Sequence, residues 1–172
     1  MSPSAAIGVA MTISSRPSVS PIVFARAVRA AGAKGFDAYA HHPYYGTPVE
    51  TPSTKPAPGA NGAAPTAVTL GNIDTLVKEV TRLFGNKRFW ITEYGYQTNP
   101  PDTFFGVTWT KQAQYLKEAV AIARKHPRID MFLWFLLVDE VRPEGWQSGL
   151  IAADGTRKPS ITAFRRVALP SS

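Results

Sequence analysis

A chain of 172 residues with 44% hydrophobic residues is long enough to bury a core and too apolar for wholesale disorder, and a single domain spanning 1–172 is expected. The absence of cysteine excludes disulfides, thiolate catalysis and thiolate-bound metals. The net charge of +7 raises nucleic acid as a partner, but the basic residues are scattered in pairs such as Lys87 and Arg88 or Arg165 and Arg166, on polar helix sides and near helix ends, and no nucleic-acid motif accompanies them.

No apolar run reaches the ~18 residues of a membrane span, and residues 1–11 lack the basic start of a signal peptide, so neither membrane nor leader is expected and the compartment stays open. Along the chain, residues 6–11 (A-I-G-V-A-M) read as a buried strand. Ser20 and Pro21 form a helix start, and the stripe Ile22, Val23, Ala27, Val28, Ala31 stops at Gly32. Residues 36–40 read as a second strand running into His41, His42, Pro43, Tyr44 and Tyr45. Residues 46–71, rich in proline and small residues, form a loop long enough to suggest a function, expected over the site.

Asn72 is expected to cap the next helix, with Ile73, Leu76, Val77, Val80, Leu83 and Phe84 inward and Gly85 as its stop. Residues 88–93 are a third strand. A longer helix over residues 109–125 follows, with Ala113, Leu116, Val120 and Ala123 inward. Residues 131–138 read as a fourth strand, and residues 159–168 as the last helix, with Ile161, Phe164 and Val167 inward.

This β-α-β-α-β-α-β-α order, with apolar strands between amphipathic helices, indicates an α/β fold with a parallel sheet. A doubly wound sheet and a β/α barrel both fit it. The later strands end in chemically loaded residues: His41 and His42, Glu93, then Asp139 and Glu140. A barrel builds its site from such strand ends, and no glycine-rich phosphate loop follows the first strand. His41 and His42 point to opposite sides of an extended segment and His126 lies at a helix end on the far side, so no metal is expected, nor any cofactor.

The segment F-W-I-T-E-Y-G-Y, residues 89–96, closes an apolar strand with a carboxylate flanked by aromatic groups, a setting suited to attack on an anomeric carbon. It resembles the seventh strand of clan A glycoside hydrolases such as families 5 and 39, whose nucleophile is the glutamate at the position of Glu93. His42-Pro43-Tyr44 resembles the sixth strand, where a histidine and a tyrosine contact substrate or orient the nucleophile. Leu133-Trp134-Phe135 resembles the eighth, whose tryptophan forms the floor beneath the sugar. Residues 145–164 match the closing pattern of these barrels, which is structural.

The resemblance implies a (β/α)4 half of a TIM-type barrel, strands five to eight, that hydrolyses β-glycosidic bonds by a retaining mechanism. His42, Tyr44, Tyr96 and Trp134 would be the substrate contacts. The alternative is a noncatalytic carbohydrate-binding remnant or a fragment of a full-length barrel, whose relatives are often secreted. The Asn-Glu pair that carries the family's acid/base does not occur here. A retaining enzyme needs two carboxyl groups ~5–5.5 Å apart. Half a barrel also leaves strand edges and an apolar inner face, which includes Ile7, Val9, Phe89 or their neighbours, depending on the alternation. A homodimer or a missing N-terminal half-barrel would close it, and in the dimer a partner's Glu140 or Asp139 would serve as acid/base.

Overall fold

The computed structural model describes residues 19–58 and 65–168. The strand expected at residues 6–11, with Ile7 and Val9, lies outside the described residues. Helix α1 (Pro21–Ala30) begins at Pro21, whose fixed φ suits the first helical position. The Ser20 hydroxyl leaves the helix end alone and donates to the Thr66 carbonyl at 2.9 Å, tying the helix start to the chain before α2. Strand β1 is Ala38–His41.

Thr69 and Asn72 form a reciprocal cap around a 3₁₀ turn, Leu70–Asn72, and α2 (Asp74–Phe84) grows out of that turn. Asn72 therefore acts one step upstream of its expected place: its Oδ1 accepts from the Thr69 backbone N–H at 2.8 Å. Gly85 ends α2 at φ 80°, a left-handed conformation that costs glycine little. Strand β2 (Arg88–Tyr94) and α3 (Trp109–Lys125) follow, the latter capped by the Thr108 hydroxyl, which accepts from Lys111 N–H at 3.2 Å. Strand β3 (Ile129–Trp134) and α4 (Pro159–Ala168) complete the described elements.

The described strands form a parallel sheet in the order β1-β2-β3. A doubly wound sheet reverses its strand order and carries helices on both faces. Here the order is sequential and the helices share one face. Phe89 and Ile91 of β2 are fully buried there, packed in one cluster with Ala25 of α1, Leu76 and Val80 of α2 and Ala119 of α3. A second cluster joins α3 to α4 through Ala113, Leu116 and Ala163, with Ile161, Phe164 and Val167 partly buried around it. On the opposite face Trp90 is 40% exposed, and Leu133 of β3 is 47% exposed. This arrangement is that of a partial TIM-type barrel, with the face that would line a closed barrel left open.

The expected fourth strand is displaced. β3 starts two residues earlier, where Asp130 pairs with Arg88 of β2. It stops at Trp134, because Leu136 turns left-handed at φ 72° and the apolar run continues as a loop with Leu137 and Val138 exposed. Among the described residues no helix is long and apolar enough to cross a membrane.

Candidate functional site

The site begins with an irregularity in β2. Ile91 aligns with Phe132 and Tyr94 with Trp134, so three steps along β2 match two along β3. That extra residue is a β-bulge, a device that re-aims side chains. In a regular strand Glu93 would share the buried face of Phe89 and Ile91. The bulge gives that parity to Tyr94, which is 1% exposed, and turns Glu93 to the side of Thr92.

His42, one residue past β1, meets both neighbours. Its Nε2 lies 2.7 Å from the Thr92 hydroxyl and its Nδ1 lies 3.3 Å from Glu93 Oε2. The Tyr44 hydroxyl donates to the same Glu93 oxygen over a long 3.5 Å. Among the described residues, both side-chain contacts of this carboxylate fall on Oε2. Burial pushes the His42 pKa down, against the opposing pull of the Glu93 charge. Burial, and then the same charge, holds the Tyr44 phenol well above its ordinary value. At neutral pH the glutamate thus faces a half-buried imidazole and a neutral phenol.

Adjacent His41 points the other way, into the core, with Nε2 2.9 Å from the Val68 carbonyl; burial pulls its pKa down to about 4. Among the described residues no group of three or more metal-ligating side chains is found.

Aromatic rings extend the site. Tyr44 stacks on Tyr94 at 6.2 Å and lies against Trp146 at 5.9 Å, and Trp146 meets Phe135 edge-on at 5.2 Å. Trp146 also lines a cavity of about 580 Å³ with Phe104, Glu140 and Arg142. Glu93 is not among the lining residues; Tyr44 links the two, meeting Glu93 at its hydroxyl and Trp146 at its ring. Trp134 is half-buried, its indole N–H donating to the Ser148 carbonyl at 2.8 Å and its ring edge-on to Tyr94.

Tyr96 is fully buried. It stacks on Tyr45 at 4.0 Å and donates to the Glu50 carbonyl at 2.8 Å, which places its phenol in the core beneath the loop after β1. That loop is anchored further by Ser53, whose N–H and hydroxyl both donate to Glu118 of α3. None of its described residues lines the cavity.

The two carboxylates after β3 have different surroundings. Asp139 is buried and its Oδ2 lies 2.6 Å from Nζ of Lys158, itself fully buried. Its Oδ1 also accepts from Lys158 and from the Gly149 N–H. Lys158 further donates to Thr98 and to the Gln147 carbonyl, so the pair ties the loop after β2 to distant parts of the loop after β3. Burial depresses the Lys158 pKa, and Asp139 opposes that shift. Glu140 is partly exposed at the cavity, with Arg142 Nη2 3.5 Å from its Oε2.

Sequence reading did not single out Thr92 or Trp146. Thr92 lies within the quoted F-W-I-T-E-Y-G-Y segment and meets His42 through the register of β1 on β2, in which His41 aligns with Ile91. Trp146 lies in a segment matched only as structure, and a loop tryptophan followed by Gln-Ser-Gly was the available signal.

Residues 67–164, more than half of the chain, match the family described as glycosyl hydrolase catalytic core. Comparison with curated proteins gives no match. Among solved structures, a family 39 glycoside hydrolase from the gut symbiont Bacteroides cellulosilyticus WH2 aligns over 85% of this chain and 30% of its own, with TM-score 0.64 and 24% identity. A GH2 β-galacturonidase from Eisenbergiella tayi aligns over 78% of this chain and 24% of its own, with TM-score 0.55 and 14% identity. A GH128 (subgroup I) endo-β-1,3-glucanase from Amycolatopsis mediterranei aligns over 83% and 49%, with TM-score 0.53 and 17% identity. The chain spans about a quarter to a half of the length of these structures, and at such identities the likeness is one of fold. By its family match, this chain belongs to the glycosyl hydrolase catalytic core family.

Proposed function

We propose that the chain carries the nucleophile of a retaining β-glycoside hydrolase, and that Glu93 is that nucleophile. The observation that supports this most is the bulge at the end of β2, which takes Glu93 out of the buried layer and sets it against His42 and Tyr44. Both contacts fall on Oε2, so Oε1 is the oxygen assigned to the anomeric carbon. Attack forms a glycosyl ester at Glu93 as the leaving oxygen departs with a proton from the acid/base; water then cleaves the ester, giving its proton back to the same group.

Glu140 suits the acid/base role better than Asp139. Glu140 reaches solvent at the cavity, whereas Asp139 is locked by Lys158 and serves as an anchor. Trp134 and Trp146, both partly exposed, are the sugar-facing surfaces, their apolar faces matching the C–H faces of a pyranose, and Tyr44, buried against Tyr94 and Trp146, offers its hydroxyl at Glu93. Tyr96 supports them from the core.

The second carboxyl group comes from a second copy. Covering the open sheet face around Trp90 and Leu133, several hundred Å² at ~25 cal/mol per Å², is worth on the order of 10 kcal/mol. Head-to-tail closure of two copies would then bring Glu140 of one toward Glu93 of the other. An N-terminal half-barrel would close the same face. Separation of Glu93 from the cavity favours, as a second reading, a noncatalytic sugar-binding protein.

Turnover of chromogenic aryl glycosides by the wild type, lowered by several orders of magnitude in Glu93→Gln, is expected. Mixing Glu93→Gln with Glu140→Gln should restore part of that activity. Sugar binding without turnover supports the second reading, and a mixture that stays inactive while the chains exchange removes the shared site.

A further inference from the structure

The chain carries a net charge of +7, yet the cavity beside Trp146 has the opposite sign. Three carboxylates, Asp102, Glu140 and Glu144, and one guanidinium, Arg142, line its 580 Å³. Arg142 meets Glu140, with Nη2 3.5 Å from Oε2. Among the described residues neither Asp102 nor Glu144 has an ion pair. Asp102 Oδ1 accepts the Phe104 and Phe105 N–H groups at 2.8 and 2.9 Å, so one turn holds a carboxylate in place beside the Phe104 ring, which is 66% exposed. Trp146 adds a second ring to the lining, seated against Tyr44 and Phe135. The carboxylates do not converge: among the described residues no group of three or more acids or histidines could hold a metal ion. Dispersed carboxylates among aromatic rings suit an organic ammonium instead, which is drawn to the anions and to the π-faces alike.

We propose that this cavity selects substrate by charge: it takes a ring carrying a free ammonium, an amino sugar within an oligosaccharide, and rejects uronates. The inference rests on the cavity's receiving sugar, as proposed, and not on Glu93 being a nucleophile. Asp102 and Glu144 are the discriminating charges, which leaves Glu140 to its acid/base role. The long-range field of a chain with net charge +7 favours anions, so a preference for cations is local to the cavity. It is also open to screening: the Debye length falls from ~10 Å at 0.1 M salt to ~3 Å at 1 M, and the preference should weaken accordingly.

β-1,4-linked trimers of glucosamine, glucose and glucuronic acid share a backbone and differ in charge, and calorimetric titration into Glu93→Gln reads their binding without turnover. At low salt and about pH 6, the glucosamine trimer should bind about tenfold tighter than the glucose trimer and the glucuronate trimer about tenfold weaker, each rim carboxylate contributing roughly threefold. Asp102→Asn keeps an acceptor for the two N–H groups. In the same background, Asp102→Asn with Glu144→Gln should bring the three trimers within about threefold of one another and leave the Kd of the glucose trimer within about twofold. Arg142→Gln, at an exposed position, should raise the glucosamine preference instead. A glucosamine trimer that binds no tighter than the glucose trimer, a preference that survives the double substitution, or no binding by any trimer overturns the proposal. Ammonium-selective binding by a protein whose wild type turns over no aryl glycoside removes the hydrolase reading and leaves this one standing.

Discussion

Replacing Lys158 by methionine keeps the length and apolar stem of a fully buried side chain and removes its charge and the donors to Thr98, Asp139 and Gln147. Thr98 still donates to the Gln147 carbonyl, so the group left stranded is the Asp139 carboxylate, with the Gly149 N–H at 2.7 Å as a remaining donor. Removing one member of a buried ion pair costs about 3–5 kcal/mol. A second route to the magnitude agrees: taking up a proton at pH 7, for an aspartate with the usual solution pKa of ~3.9, costs about 4 kcal/mol. For a chain of this size that corresponds to a Tm lower by about 6–20 °C. Asp139→Asn in the same chain keeps the acceptor for Gly149 and removes the stranded charge, so the double variant should recover more than half of the loss. Urea titrations of the three proteins give the values, with the slope checked for constancy. A single variant within about 2 °C of wild type, or a double variant no better than the single, refutes this account of the pair.

Two further outcomes follow from the same structure. His41 is buried with a pKa of about 4, below the usual ~6.5, so the unfolded chain binds more protons between those values. Its contribution is complete above pH 6.5 and falls by about 3 kcal/mol as the pH drops through 4; His41→Gln should lose less stability over that window, and parallel pH profiles would contradict the assignment. Trp146→Ala removes the ring between Tyr44 and the cavity, so KM for aryl glycosides should rise roughly tenfold, the ~1.4 kcal/mol of an aromatic wall, with a smaller change in turnover number. Unchanged kinetics would exclude this cavity as a sugar site.

How far the fold could be read from sequence depended on how local the physics was. Helix α3 and its inner residues Ala113, Leu116 and Ala123 follow from helical periodicity, and Gly85 marks the end of α2 because only its left-handed φ relieves the turn. The limits of β3 were not legible, since an apolar run does not distinguish a strand from the exposed loop of Leu137 and Val138. Nor was the bulge: Thr92 and Glu93 alternate in sequence like any strand residues, and their shared side depends on the register against β3. Tyr96 and Asp139 show the same limit. Each sits at a strand mouth by position, but one packs on Tyr45 and the other on Lys158, partners distant in sequence.

The central claim, that Glu93 attacks the anomeric carbon, is tested most directly by trapping the glycosyl ester. A 2-deoxy-2-fluoro glycoside with a dinitrophenolate leaving group needs no protonation on departure, so the result is independent of where the acid/base comes from. Incubated with a panel of such β-glycosides, the wild type should gain the mass of one fluorosugar on the peptide containing Glu93, and Glu93→Gln should gain none. A label carried by another residue, or a wild type that turns over aryl glycosides yet stays unlabelled, would contradict the account.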